Sequence, residues 1–183
     1  ETGTLGAGSS SPELRAQTPP EVELEPTPAP GSTIQAVVGQ PIRLVARVTD
    51  DGLPRRDNRS LPLTDEGRLD LERVLRAPPS RITVNKTVGL TMSWVVYRAP
   101  DEVPAQETVE FDPPQVATWE DTRPFSNSPW APFWVPPELP EDDRWTTLVT
   151  FDRPGTYILM GRADDGGLFT DRRVTVVVRP PRT

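Results

Sequence analysis

The last forty residues constrain the fold more tightly than any other part of the chain. Asp152-Arg153-Pro154-Gly155 is written as a turn, and Thr156-Tyr157-Ile158-Leu159-Met160-Gly161-Arg162-Ala163 as a strand. Asp164-Asp165-Gly166-Gly167 is a second, acidic turn, and Arg172 to Val178 is the closing strand. Two β-prone runs joined by an Asp- and Gly-rich connection make an antiparallel hairpin. A lone hairpin is marginal in water and needs further strands over its apolar face. The segment therefore predicts the last hairpin of a small antiparallel β-sandwich.

Earlier segments supply the other strands. Thr33 to Val38 is a short β-prone run. Pro41 to Thr49 alternates with Ile42, Leu44, Ala46 and Val48 on one face, the period of a half-buried strand, and Asp50-Asp51-Gly52 ends it in a turn. Leu90 to Tyr97 alternates again, with Leu90, Met92, Trp94 and Val96 on one side. Thr108 to Phe111 and Gln115 to Trp119 predict short edge strands, and Trp145 to Phe151 leads into the terminal hairpin. About seven strands is the number a sandwich needs. Between residues 53 and 88 the pattern changes. Thr64-Asp65-Glu66 offers an N-cap and an acidic first turn, and Leu69, Leu71, Val74 and Leu75 recur at rough helical spacing before Pro78-Pro79. This predicts a helix of two or three turns covering one end of the sandwich.

The bulk numbers fit one modest core with tails. Only 34 % of the residues are hydrophobic and 24 are proline, so part of the length is not core. Residues 1–32 are rich in Pro, Gly, Ser, Thr and Glu. Proline fixes φ and lacks a donor, so this stretch reads as an extended acidic arm or linker. Residues 33–179 read as the sandwich, with insertions near 53–88 and 119–144. The chain opens at Glu1 rather than Met, and Glu1-Thr2-Gly3 reads either as a mature end or as a cloning remnant. No apolar run reaches the roughly 18 residues of a membrane span.

Several chemistries are excluded. A net charge of −7 opposes binding to nucleic-acid phosphates. The chain has no His and no Cys, which removes thiolate nucleophiles, Ser-His-Asp triads and the usual zinc and haem ligands. What remains is oxygen chemistry, meaning carboxylates or a hard cation such as calcium. The acids Glu107, Glu110, Asp112, Glu120 and Asp121 could supply a glycosidase pair, but sandwich turns offer no evident cleft for one. The chain is expected not to be an enzyme.

Four places carry a resemblance. Gly39-Gln40-Pro41 leads into the second alternating strand, which ends at Asp50-Asp51-Gly52-Leu53-Pro54. A Trp sits in Leu90-Thr91-Met92-Ser93-Trp94. Phe151-Asp152-Arg153-Pro154-Gly155-Thr156-Tyr157 looks like a tyrosine corner, and Ala163-Asp164-Asp165-Gly166 turns into Val174 to Val178. Together they resemble the immunoglobulin-like superfamily, in particular the PKD-like domains of bacterial exported proteins, although the core cysteines of antibody-type domains are absent. The resemblance implies a non-catalytic spacer, adhesion or docking module, periplasmic or extracellular. It also implies a core Trp94, a Tyr157 whose hydroxyl bonds back to backbone near Asp152, and a Gly155 that permits the turn.

Two candidate sites follow. In such a topology the turn at Asp50-Asp51 and the turn at Asp164-Asp165 lie at one end, with Asp171 near them. Four converging carboxylates would repel unless a cation such as calcium neutralised them. Asp-Asp-Gly is also ordinary turn chemistry, with the acids in water or paired with Arg47 or Arg162. The second candidate is the segment Trp119 to Trp145, which holds four of the five tryptophans together with Phe125 and Phe133 and is laced with Pro124, Pro129, Pro132, Pro136, Pro137 and Pro140. Proline bars a regular element, and Trp and Phe on stiff loops make strong interface anchors. Phe125, Trp130, Phe133 and Trp134 are the expected partner contacts, with Trp119 and Trp145 turned inward. The same loop could instead fold over its own sheet. Asn58-Arg59-Ser60 and Asn85-Lys86-Thr87 match the glycosylation pattern, but the Arg-rich, Ala- and Pro-rich composition points to a bacterium, where no sugar is expected.

The sequence as a whole predicts an interaction subunit. It would dock through the aromatic loop and the arm onto protein subunits of a larger extracytoplasmic or membrane-associated complex. The rival is a carbohydrate-binding or calcium-dependent adhesion module, for which Glu120-Asp121 and Ser126-Asn127-Ser128 offer polar neighbours to the rings.

Overall fold

The computed structural model describes residues 12–25, 33–53, 55, 64–66, 70–76, 89–100, 108–117 and 138–181. In chain order the elements are α1 (Pro12–Ala16), β1 (Glu21–Glu25), β2 (Thr33–Val37), β3 (Ile42–Thr49), α2 (Leu71–Arg76), β4 (Thr91–Arg98), β5 (Val109–Asp112), β6 (Arg144–Phe151), β7 (Gly155–Asp164) and β8 (Phe169–Arg179). The strands form two four-stranded sheets, ordered β1-β3-β6-β5 and β2-β8-β7-β4. All neighbours are antiparallel except β2, which runs parallel to β8 with Thr33 opposite Thr175 and Val37 opposite Arg179.

Alternation decides which faces meet. Leu44, Ala46 and Val48 of β3 and Trp145, Val149 and Phe151 of β6 point inward from the first sheet. Trp94, Tyr157, Leu159, Ala163, Val174, Val176 and Val178 face them from the second, and together they form one core. Burial of this apolar face is the main force holding the sheets together. Trp94, at 1 % exposure the largest fully buried side chain, lies on β4, the strand that follows β3 in the chain. In immunoglobulin lettering the sheets are A-B-E-D and A′-G-F-C, with Trp94 on C. The protein is an immunoglobulin-like all-β sandwich.

The corner before β7 supports this assignment. The Tyr157 hydroxyl donates to the Arg153 carbonyl at 3.0 Å, one residue from the expected Asp152. The Tyr157 ring is fully buried, with its centroid 4.8 Å from that of Phe151. Gly155 has φ +147°, and a Cβ there would lie 2.3 Å from Cγ of Pro100. Two residues beyond Tyr157, where antibody domains place their second core cysteine, Leu159 is fully buried. Packing alone fills this position.

Three local expectations change. The stretch read as an arm contains a strand, because β1 pairs along β3 from Glu21–Thr49 to Glu25–Val45 and its Val22 is 3 % exposed in the core. The sequence Glu21-Val22-Glu23-Leu24-Glu25 alternates, and burial of its apolar side outweighs the proline bias around it. The helix starts later than predicted: α2 begins at Leu71 and takes its cap from Asp70, whose Oδ1 accepts from the Arg73 amide at 2.9 Å. Residues 115–117 are not a strand, since Pro113 and Pro114 provide no ladder donors. They line the β4 edge by other means: Trp94 N donates to Gln115 Oε1 at 3.0 Å and Ser93 Oγ donates to the Val116 carbonyl at 2.8 Å. Trp119 lies outside the described residues. Among those residues no helix is long and apolar enough to cross a membrane.

Tyr157→Phe should lower stability by about 1 kcal/mol, the net value of one hydrogen bond. Gly155→Ala should cost more, because it combines strain with a clash. Urea unfolding should show lower midpoints at unchanged slope. A Tyr157→Phe midpoint equal to wild type would remove the corner from the account of stability.

Candidate functional site

One pole of the sandwich gathers the chain's unusual connections. At this pole β3 ends at Thr49 opposite the start of β1, β7 ends at Asp164 opposite the start of β4, and β6 begins at Arg144 opposite Arg47. The connection from β3 to β4, which carries α2, therefore leaves and returns here. So does the connection from β5 to β6, the one that contains Trp119 to Trp134. Its two roots are visible: Val116 is held by Ser93, and the Asp143 carbonyl accepts from the Val48 amide at 2.9 Å. In antibody variable domains the equivalent pole, with the B–C and F–G loops, carries the binding loops.

The acidic turns occupy this pole too. Asp50 Oδ2 accepts from the Gly52 amide at 2.8 Å, and Asp164 Oδ1 accepts from the Gly166 amide at 2.6 Å. Asp165 is 1 % exposed. Its Oδ1 accepts from the Gly167 and Leu168 amides, both at 2.6 Å. Burial pushes the Asp165 carboxyl above the ordinary carboxylate range, against those two bonds, and the charges of Asp50 and Asp164 push it further. Burial likewise raises Asp50, against the Gly52 bond and with help from Asp51. These acids sit in turn geometry, yet two of them carry the mark of a poor environment for negative charge.

The N-terminal segment is tied to the same place. Asp51 Oδ2 accepts from both the Thr18 amide at 2.6 Å and the Thr18 hydroxyl at 2.8 Å, and its Oδ1 accepts from the Leu53 amide at 2.9 Å. The Thr18 hydroxyl is the largest cause holding Asp51 below the ordinary carboxylate range. Beside it the Gln17 amide lies over Gly167, where a Cβ would meet Gln17 Oε1 at 2.4 Å. Only glycine admits the amide that close. At the far end of β1, Arg144 Nε donates to Glu25 at 2.8 Å.

The predicted acids thus divide. Asp165 feels the charges of both Asp50 and Asp164, while Asp51 is spent on Thr18. Asp171 forms a two-pronged bridge with Arg162 at 2.7 and 2.8 Å, directly across β7 and β8. No group of three or more His, Cys, Asp or Glu able to hold a metal occurs among the described residues. Sequence reasoning missed Gln17 and Thr18, because nothing in Ala16-Gln17-Thr18-Pro19 signals contact with turns thirty and more residues away. Trp145 faces inward at 8 % exposure. Phe125, Trp130, Phe133 and Trp134 lie outside the described residues.

No family model matches the chain, and no curated protein matches it. Among solved structures, domains 1–6 of the surface layer protein SbsC are 10 % identical with a TM-score of 0.38, over 92 % of this chain and 14 % of that one. The chain thus corresponds to a small part of that protein's length. A mutant complex of titin and obscurin-like 1 immunoglobulin domains is 12 % identical with a TM-score of 0.38, over 91 % and 99 %. The PKD domain from human KIAA0319 is 15 % identical with a TM-score of 0.36, over 97 % and 95 %.

The clasp between Thr18 and Asp51 has a sign in pH. A carboxylate held below its ordinary value contributes stability above about pH 4, which is lost as pH falls through the folded value. The Thr18 amide resonance, displaced by the short bond at pH 6, should move toward its free position as pH drops to 2.5. In Asp51→Ala it should already be there at pH 6. A resonance indifferent to both changes would rule the clasp out.

Proposed function

We propose that the protein is a non-catalytic interaction subunit. It docks through one pole of its sandwich, the aromatic Pro-rich segment and the N-terminal region together, onto protein subunits of a larger extracytoplasmic or membrane-associated complex. The observation that carries this reading is convergence. The connection holding Phe125, Trp130, Phe133 and Trp134 is rooted at the same pole as the B–C and F–G turns and the start of β1. A sandwich with its longest connections at one pole offers a rigid platform there, and rigid placement lowers the entropic cost of binding. Aromatic residues on such a platform act as anchors. The acids Glu138, Glu141, Asp142 and Asp143 at the return root favour a protein partner over an anionic bilayer. Placement outside the cytoplasm rests on the sequence resemblance to exported domains.

The test is a pull-down from source membranes and extracytoplasmic extract, comparing the intact chain with Trp130→Ala/Phe133→Ala/Trp134→Ala. The intact chain should retain defined partner subunits, and the triple variant should lose them at least ~10-fold, as expected when hot-spot anchors worth several kcal/mol are removed, with its unfolding temperature unchanged. If the folded triple variant retains the same partners, docking through this segment is wrong. Retention of glycans in place of protein by the intact chain would favour the carbohydrate-binding reading.

A further inference from the structure

Three acceptor oxygens at the acidic pole are buried and have no hydrogen-bond partner among the described residues: Gln17 Oε1, Asp50 Oδ1 and Asp165 Oδ2. The one other atom in that condition is a donor, Trp94 Nε1. The coincidence is chemical as well as spatial. Each of the two carboxylates uses one oxygen on backbone amides, Asp50 on Gly52 and Asp165 on Gly167 and Leu168, and keeps the other back. Gln17 is held over Gly167, the residue whose amide binds Asp165. No Arg or Lys among the described residues bonds to either carboxylate.

Leaving a buried acceptor without a donor is destabilising, more so when it is charged. Leaving two neighbouring carboxylates so is worse, because burial and mutual repulsion act together. Gln17 lies over Gly167, whose amide binds Asp165, and Asp165 feels the charge of Asp50, so unpaired acceptors on these segments favour a cation.

We propose that Gln17 Oε1, Asp50 Oδ1 and Asp165 Oδ2 are ligands of a calcium ion. An all-oxygen set drawn from a helix end, the β3–β4 turn and the β7–β8 turn suits calcium, which takes six to eight oxygens in flexible geometry and completes its shell with water. Magnesium demands a near-ideal octahedron, which three ligands on separate segments do not preset. Zinc prefers nitrogen and sulfur. With two carboxylates and a neutral amide, the site belongs with extracellular modules that bind at roughly 10⁻⁴–10⁻³ M. The ion would join the N-terminal segment to both turns, so that it orders the pole as well as neutralising it.

The experiment uses the intact chain, with calorimetric titration of CaCl₂ and thermal unfolding in calcium, in magnesium or in chelator. Wild type should bind one calcium with a dissociation constant of about 10⁻⁴–10⁻³ M, and its unfolding temperature should rise by several degrees in calcium at a hundredfold excess. Gln17→Ala, a change just beyond the C-terminal end of α1, should weaken binding several-fold without altering the fold. Asp165→Asn should bind no calcium, and in chelator it should unfold at a higher temperature than wild type because a buried charge is gone. Equal unfolding temperatures in calcium and chelator, with no binding heat, would overturn the proposal in favour of a shared proton or water. A magnesium response equal to that of calcium would overturn the choice of ion. Calcium binding that survives in Asp165→Asn would place the ion elsewhere and overturn the site.

Discussion

Strand β7 has a hydrogen-bonded neighbour on each side, β8 and β4, and its inward face meets the opposite sheet. The rest of the structure depends on that double constraint. Tyr157, Leu159 and Ala163 are all fully buried along it, so its register cannot slip by one residue without turning each of them to solvent. Its first residues carry the tyrosine corner and its last residues open into Asp164-Asp165. One strand therefore fixes both the corner, which sets how the chain enters the sheet, and the acidic turn, which sets the chemistry of the pole. The Arg162–Asp171 bridge lies across the same hairpin and pins its solvent side.

How much of this was readable depends on which physical signal each segment carried. β3, β6, β7 and β8 were legible because alternation and turn residues agree in them, and local agreement of that kind is what a foldable sequence provides. The Tyr157 corner was legible for the same reason. β1 was obscured by the prolines on both sides, although Val22 and Leu24 do alternate with glutamates. The helix cap was misplaced because Thr64-Asp65-Glu66 and Asp70 are both good caps, and spacing alone does not choose between them. The acidic turns were visible as turns, but not which carboxylate oxygens would be used up. That depends on Thr18 and Gln17 arriving from the other end of the chain, a contact that no local pattern encodes. The four aromatics of the 119–144 insertion were visible as composition only.

The two insertions, far apart along the sequence, are rooted at the same pole. Both interrupt connections that open toward the acidic pole, and the N-terminal segment arrives there as well. The opposite pole has short connections by comparison: the turn at Gly39-Gln40, where Gly39 N donates to the Phe151 carbonyl at 2.9 Å, and the corner at Asp152 to Gly155. A sandwich arranged in this way keeps its short turns at one end and its long connections at the other, where loops run over the surface and do not build the core.

The parallel pairing of β2 with β8 has a mechanical consequence. Residues before β1 enter at the acidic pole, while β8 runs out at the other, and β2 travels in the same direction as β8 from Thr33 to Val37. Tension applied between the two ends would pull these strands lengthwise past each other. All the β2–β8 hydrogen bonds would then bear load together, in contrast to a hairpin that opens one bond at a time. A domain moored at its acidic pole and tethered from its far end would resist being pulled apart along its long axis better than it would resist peeling of the β5 edge.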